Sequence, residues 1–262
     1  MKTKLSLSVL LLVGFVFSIT VIQSAAAEDP REKMGLVALW TLDKDTVQGN
    51  DVEDVFGQNV GTITGKPNQI DGFRSEALNF DGAVDLIRMA EDIFFPSVTM
   101  EAIIKPTLGT RNPIYDKYNY GIQLLDSNNV GVWIRADTAN AAKHWPSAYV
   151  PFPADGEWHH VVGVVESKKS VRIYLDGELK KTTPAPDPIS MAYGAAQKPT
   201  IAYTQHLGGI WYAGAIDEVA IFEGALSDDE VKRLHTLALA VEPVGKLAIT
   251  WGALKQSTPK RN

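Results

Sequence analysis

A chain of 262 residues with 25 basic and 31 acidic side chains and no cysteine is long enough to bury a sizeable core, but no disulfide can hold it. Its formal charge of −6 leaves no electrostatic footprint for nucleic acid or anionic lipid. The balance is compatible with neutral sugars and bound cations.

In chain order, Met1–Lys4 is basic, Leu5–Ile22 is apolar, and Ser24-Ala-Ala-Ala27 presents small residues of the kind a signal peptidase reads. Residues 1–27 are expected to be a secretory signal cut after Ala27, exporting the chain to the periplasm, the cell surface or the medium. The apolar run is also long enough to span a bilayer, so retention as an anchor is the other reading; no later stretch could cross. Loss of Lys2 and Lys4 takes the formal charge to −8, 23 basic against 31 acidic residues. Residues 28–35 are charged, contain Pro30, and read as a linker.

Leu36–Leu42 is an apolar run typical of a strand buried on both faces. Asp43–Asn59 is polar, with a turn at Asp54-Val-Phe-Gly57. Short strands are expected at Val60–Thr64, Ala77–Phe80 and Val84–Met89, and a longer alternating one at Val98–Lys105. Ile114–Tyr118, Gly121–Leu125 and Val130–Arg135 supply three more, with Asp126-Ser-Asn-Asn129 as the turn between the last two. Ala136–Asp155, with three prolines, reads as a long irregular loop. Glu157–Lys180 is a meander: Trp158, His160, Val162 and Val164 fall on one face, His159, Val161, Gly163 and Val165 on the other. Asp176-Gly177 there suits a type I′ hairpin turn. Pro184–Pro199 is a second excursion, and Pro199–Tyr203 and Ala213–Phe222 are closing strands. Leu226–His235 is the one clear helix, with Ser227 and Glu230 spaced as a capping box and Val231 and Leu234 facing inward. Many short strands between turn signals, with one short carboxy-terminal helix, predict an all-β, two-sheet antiparallel sandwich or jelly roll.

Trp40, Asp54-x-x-Gly57 and Ala77-Leu-Asn-Phe-Asp-Gly82 resemble the opening of a laminin-G-like domain. Ser97-Val-Thr-Met-Glu-Ala and Glu157-Trp-His-His-Val-Val resemble its middle. Val171-Arg-Ile-Tyr-Leu-Asp-Gly177, Gly214-Ala-Ile-Asp-Glu-Val-Ala-Ile-Phe222 and Ala225-Leu-Ser-Asp-Asp-Glu230 resemble its end. In this order the motifs are similar to the concanavalin A-like lectin/glucanase superfamily, and they place one jelly-roll domain at residues 36–240, followed by a tail at 241–262. In that tail Leu247, Trp251 and Leu254 share a helical face, so it is expected to dock on the sheet, or to meet a partner or a membrane surface.

The resemblance implies one structural Ca²⁺, carried over to Asp217, with Asp54 second and Asp43 and Asn59 as weaker candidates. A hard cation wants six to eight oxygens, which carboxylates beside turn carbonyls can supply. The competing reading ties Asp217 to a backbone N–H and makes Asp54 the acceptor of an Asx turn. For sugars, stacked aromatic rings are the feature to seek. Trp145 and Tyr149 in the long loop, Trp211 and Tyr212 after Gly208-Gly209, and Tyr115, Tyr118 and Tyr120 beyond Pro113 are the candidates, whereas Trp40, Trp133 and Trp158 are expected in the core.

The glucanases of this fold carry alternating catalytic acids on one strand, because retaining cleavage needs a close carboxylate pair. No Glu-x-Asp-x-Glu run occurs here. Asp217 and Glu218 are adjacent, and alternation would point them to opposite faces. His159 and His160 straddle a strand and cannot chelate one ion. No nucleophile elbow, zinc-helix or phosphate-loop motif appears. The expectation is therefore a non-catalytic module that binds a glycan, or else an adhesion or scaffold module that binds a cell-surface protein.

Overall fold

The computed structural model describes residues 29–137, 143–190 and 196–240. The expected signal segment and the tail after residue 240 lie outside the described residues. What is described belongs to one unit, Asp29–Pro243.

Two antiparallel sheets face each other. The eight-stranded sheet runs in the order Glu178–Pro184, Ser170–Leu175, His159–Glu166, Val98–Pro106, Ala213–Glu223, Glu76–Asp81, Asn68–Asp71, with Leu36–Trp40 also paired to Ala213–Glu223. The nine-stranded sheet runs Ser147–Pro151, Asn129–Ile134, Tyr120–Leu124, Asn112–Asp116, Thr200–Ile201, Leu86–Met89, Gly61–Thr64, Asp51–Val52, Val47–Gln48. Non-consecutive neighbours in both orders make this a jelly-roll sandwich, as the alternating strand pattern predicts.

Between the sheets lies a core built from alternate residues of each strand, including Met100, Ala102 and Ile104 on one side and Ile122, Val132 and Ile134 on the other. Gly163 sets how closely the sheets approach. A Cβ there would lie 2.9 Å from Val132 Cβ and 3.1 Å from Ile122 Cγ1, both on the opposing sheet.

The outer face of the eight-stranded sheet is also apolar. Val162, Val164, Tyr174 and Phe222 form a second cluster with Leu226, Val231 and Leu234. This is why the Val98–Pro106 strand is buried on both sides through Ile104 instead of alternating. The helix, Asp228–Leu239, has its capping box intact: the Ser227 hydroxyl accepts from Glu230 N and the Glu230 carboxylate accepts from Ser227 N. Asp228 ties its first turn to Arg172 and the Tyr174 hydroxyl. Asp176 and Gly177 both have positive φ, 53° and 77°, which is the type I′ turn expected of that pair.

Residues 29–35 are not a free linker. Glu32–Met34 is a 3₁₀ turn, Met34 joins the second cluster, and Arg31 pairs with Asp29 and Glu218. A charged composition hid one buried methionine. Ala136–Asp155 also differs from the expected loop, because Ser147–Pro151 is the edge strand of the nine-stranded sheet. Of the three prolines, Pro146 precedes the strand and Pro151 ends it, where an edge tolerates a missing N–H.

His159 and His160 do straddle the strand and serve different partners. His159 lies 2.8 Å from Asp176 and 3.1 Å from Asp155. Burial pulls its pKa down, but the two carboxylates outweigh that and raise it. His160 is buried 2.8 Å from Glu101 and stacks on His235 of the helix at 5.3 Å. Burial, and then the neighbouring His160, lower the His235 pKa, against the pull of Asp176 and Glu101.

Two predictions follow from this packing. Gly163→Ala is expected to destabilise the fold by about 1–3 kcal/mol through overpacking, and Val132→Ala should recover part of the loss, as read from urea unfolding of the single and double variants. A base whose folded pKa is depressed destabilises the fold as pH falls through its unfolded value, near 6.5 for His235. His235→Gln should therefore gain melting temperature over the wild type only below about pH 6.5, with the gap widening toward pH 5 in calorimetric scans.

Candidate functional site

One face of the eight-stranded sheet packs on the core and the helix covers part of the other; the outer face of the nine-stranded sheet presents side chains that can meet a ligand. On it, in neighbouring strands, glycines sit opposite aromatic residues. Gly121 pairs with Trp133, and Gly131 pairs with Tyr149. A Cβ at Gly121 would come within 3.2 Å of Trp133 Nε1, and one at Gly131 within 2.5 Å of Tyr149 Cδ1. The missing side chains let both rings lie down against the sheet, the usual meaning of a glycine inside a strand.

Beside this platform is a cavity of about 300 Å³, lined by Arg111, Gln123, Trp133, Trp145, Thr204, His206 and Ile210. Trp145, 52% exposed, is one wall. His206 is held edge-on to Trp133 at 5.3 Å and face-on to Tyr118 at 4.2 Å, and its Nε2 donates to the Tyr118 carbonyl. Burial, aided by the Arg135 charge, lowers its pKa against the upward pull of the hydrogen bond to the Tyr118 carbonyl.

Tyr118 has φ +77°, a strained conformation for a non-glycine residue. Its N–H donates to Asp116 Oδ1 at 2.6 Å, which holds the turn. Asp116 is buried beneath, and burial pushes its pKa up to about 7 despite the Thr204 hydroxyl and the Tyr118 N–H. Gln123 Nε2 donates to the Tyr149 hydroxyl. Arg111 stands close enough for its charge to act on that same hydroxyl.

The aromatic candidates therefore separate. Trp145 lines the cavity, and Tyr149 adjoins it through Gln123 on a strand rather than a loop. Trp211 is half-buried, leaning on Tyr203 at 5.1 Å next to Ile210. Tyr212 belongs to the core: it is fully buried, edge-on to Phe80, with its hydroxyl donating to the Ala215 carbonyl. Tyr115 and Tyr120 are buried as well, and Tyr118 acts through His206. Trp40 is in the core as expected, Trp158 is only half-buried, and Trp133 is buried yet faces the cavity. Arg111, Gln123, Thr204, His206 and Ile210 carried no sequence signal. Trp133 did carry one, in the glycine that alternates onto its face from the neighbouring strand.

The proposed metal ligands fall elsewhere. Asp54 Oδ1 accepts from the N–H groups of Leu39, Phe56 and Gly57, and Oδ2 from Asn59 N. Four N–H dipoles aimed at one carboxylate suit the Asx-turn reading and leave little for a cation. Asn59 is likewise engaged by the backbone of Glu91.

Asp217 is different. The long strand bulges between Asp217 and Ala220, with Glu218 at φ +49°. Alternation fails there, so Asp217 and Glu218 do not diverge as expected. Asp217 Oδ2 accepts from Phe73 N and Arg74 N, while Glu218 pairs with Arg31 and the Arg74 guanidinium. Burial, and then the Glu218 and Asp43 charges, push Asp217 up to about 7. Asp43 holds the same turn through Glu76 N. Two carboxylates on one turn, with the Asp43 charge raising the cost of ionising Asp217, fit a cation better than Asp54 does. Among the described residues no group of three or more His, Cys, Asp or Glu side chains converges, so main-chain oxygens would have to complete the shell.

Among the described residues no helix is long and apolar enough to cross a membrane. No curated protein matches the sequence. Many solved structures share the fold, three of them as follows. The binding domain of Paraclostridial Mosquitocidal Protein 1 matches with TM-score 0.58 at 15% identity, over 77% of this chain and 52% of that one. The binding domain of botulinum neurotoxin DC, in complex with rat synaptotagmin II, matches with 0.58 at 14%, over 78% and 52%. Domain 4 of AbnA, a GH43 extracellular arabinanase from Geobacillus stearothermophilus, in complex with arabinotriose, matches with 0.57 at 22%, over 77% and 98%. The chain thus spans about half the length of the two toxin domains and nearly all of the arabinanase domain, and at these identities the likeness is one of fold. The family model Laminin_G_3, described as concanavalin A-like lectin/glucanases superfamily, matches residues 81–232. With that match covering more than half of its length, the chain belongs to the laminin-G-like branch of the concanavalin A-like lectin/glucanase superfamily.

Proposed function

We propose that the protein is an exported, non-catalytic glycan-binding module whose ligand stacks in the cavity between Trp133 and Trp145. The observation that carries this is the cavity itself: two indoles and an imidazole as walls, with an amide at Gln123 and a hydroxyl at Thr204 to meet sugar hydroxyls. Apolar walls with a few placed polar groups are the usual build of a small-ligand site. The arabinotriose bound to the AbnA domain supports a sugar as ligand on this fold. Binding without cleavage is supported by the lining, whose described residues include no carboxylate, because glycoside hydrolysis needs a pair of them. The neurotoxin domain in complex with synaptotagmin supports the other reading, a protein partner. No cavity-lining residue favours that reading over a sugar. Export rests on the leader-like residues 1–27.

Trp145→Ala and Trp133→Ala should each weaken glycan binding about ten-fold or more, as stacking of the 1–3 kcal/mol scale known for bases on aromatic rings would imply. Titration of the variants against an arabinan and pectin panel checks it; a protein that binds a sugar equally well with both tryptophans removed would place the site elsewhere.

A structural Ca²⁺ held by Asp217 with Asp43 forms part of the proposal, and Asp54 is better explained as a turn cap. Saturating Ca²⁺ at about a hundred times its dissociation constant should stabilise the fold by about 2.7 kcal/mol. EDTA should reverse that gain, and Asp217→Asn should abolish it, while Asp54→Asn should keep the calcium response. Equal melts in chelator and in calcium would remove the ion from the proposal.

A further inference from the structure

We propose that the cavity selects a glycan carrying a carboxylate, with Arg111 as the group that reads it. This inference rests on the glycan-binding reading above and adds the charge class of the ligand. Three observations carry it. Arg111 lines the cavity and is half-buried, so the side chain is partly withdrawn from water, and the lining it shares includes the Trp133 and Trp145 indoles and the Gln123 amide. No carboxylate belongs to the described lining. Among the described residues Arg111 makes no hydrogen bond or ion pair, and its charge acts on the Tyr149 hydroxyl.

A partly desolvated cation costs free energy unless something pairs with it. In a chain with an excess of acidic residues, partners were available: Arg31 takes Asp29 and Glu218, and Arg172 takes Asp228. Arg111 has none among the described residues, and it lines a cavity. A planar five-donor fork matches a carboxylate with two parallel hydrogen bonds, and the apolar walls of Trp133 and Trp145 lower the local dielectric and strengthen that contact. The same walls supply stacking area for a pyranose ring, so a uronate-type sugar satisfies both features at once.

The test uses the full chain and pairs of ligands that differ only in charge: trigalacturonate, a glucuronate oligosaccharide and a sialylated oligosaccharide, each beside its methyl ester, with arabinotriose as a neutral standard. Binding is measured by calorimetric titration for the wild type, Arg111→Gln, Arg111→Lys and Trp145→Ala, after thermal melts show that each variant is folded. The expected result is that at least one acid binds ten-fold or more tighter than its own ester. Arg111→Gln should bring that ratio close to one, Arg111→Lys should retain part of it, and Trp145→Ala should weaken acid and ester together. If acids and esters bind equally, or only arabinotriose binds, the charge inference is overturned while the glycan reading stands. If no sugar binds and Trp145→Ala changes nothing, both fall.

Discussion

The carboxy-terminal helix lies on the eight-stranded sheet through Leu226, Val231 and Leu234, and the apolar face it covers carries Val162, Val164, Tyr174 and Phe222. Each such side chain removed from water is worth about 1.5–3 kcal/mol, so this second layer is a large part of what holds a cysteine-free chain together. It also decides where function can sit. Where the sheet is buried on both faces it leaves no surface for a sugar, and a strand such as Val98–Pro106 becomes a continuously buried run instead of an alternating one. The nine-stranded sheet has no such cover among the described residues, and its outer face is where glycines, aromatic rings and polar side chains alternate.

On that face the backbone does the positioning. Trp133 lies against Gly121 and Tyr149 against Gly131, which fixes the rings by contact with the sheet rather than by their own rotamer freedom. The opposite wall comes from a turn. Tyr118 is held at positive φ by Asp116 and presents a ring for His206, which in turn abuts Trp133. Strain at Tyr118, a buried carboxyl, one stacked and one edge-on ring contact therefore converge on one wall of one cavity. The nine-stranded sheet supplies the rigid wall and the loop residues the adjustable one, a division that suits a pre-formed site.

The fold was legible because burial imposes periodicity. Ser227 and Glu230 marked the helix start, Asp176-Gly177 the hairpin, and Val171, Ile173 and Leu175 a core-facing row. The site was much less legible, since a cavity is made by residues distant in the chain. Arg111, Trp145 and His206 come from three separate connections, and only strand pairing brings them together. Trp133 read as core because alternation reports which residues share a face but not whether that face looks at another sheet or at a ligand. Tyr212 erred the other way: a position after two glycines suggested exposure, but the ring turns inward onto Phe80. At Asp217 and Glu218 a bulge broke the period-two rule, and no local residue signal announced it.

Net charge and the charge inside a cavity act on different scales. A formal −6, or −8 without the leader, excludes large anionic partners because the summed field repels them at distances near a Debye length, about 8–10 Å. Inside a walled cavity that field no longer governs. Water is excluded and ions screen poorly there, so one unpaired guanidinium within a few ångströms outweighs many surface carboxylates that solvent has already damped. The two scales act on different quantities. Long-range repulsion slows the approach of an acidic ligand, whereas the local pair sets how long it stays, and specificity among related ligands resides mostly in that second rate. Composition alone therefore identifies what the surface repels, and the character of a bound sugar depends on what each cavity side chain has been left without.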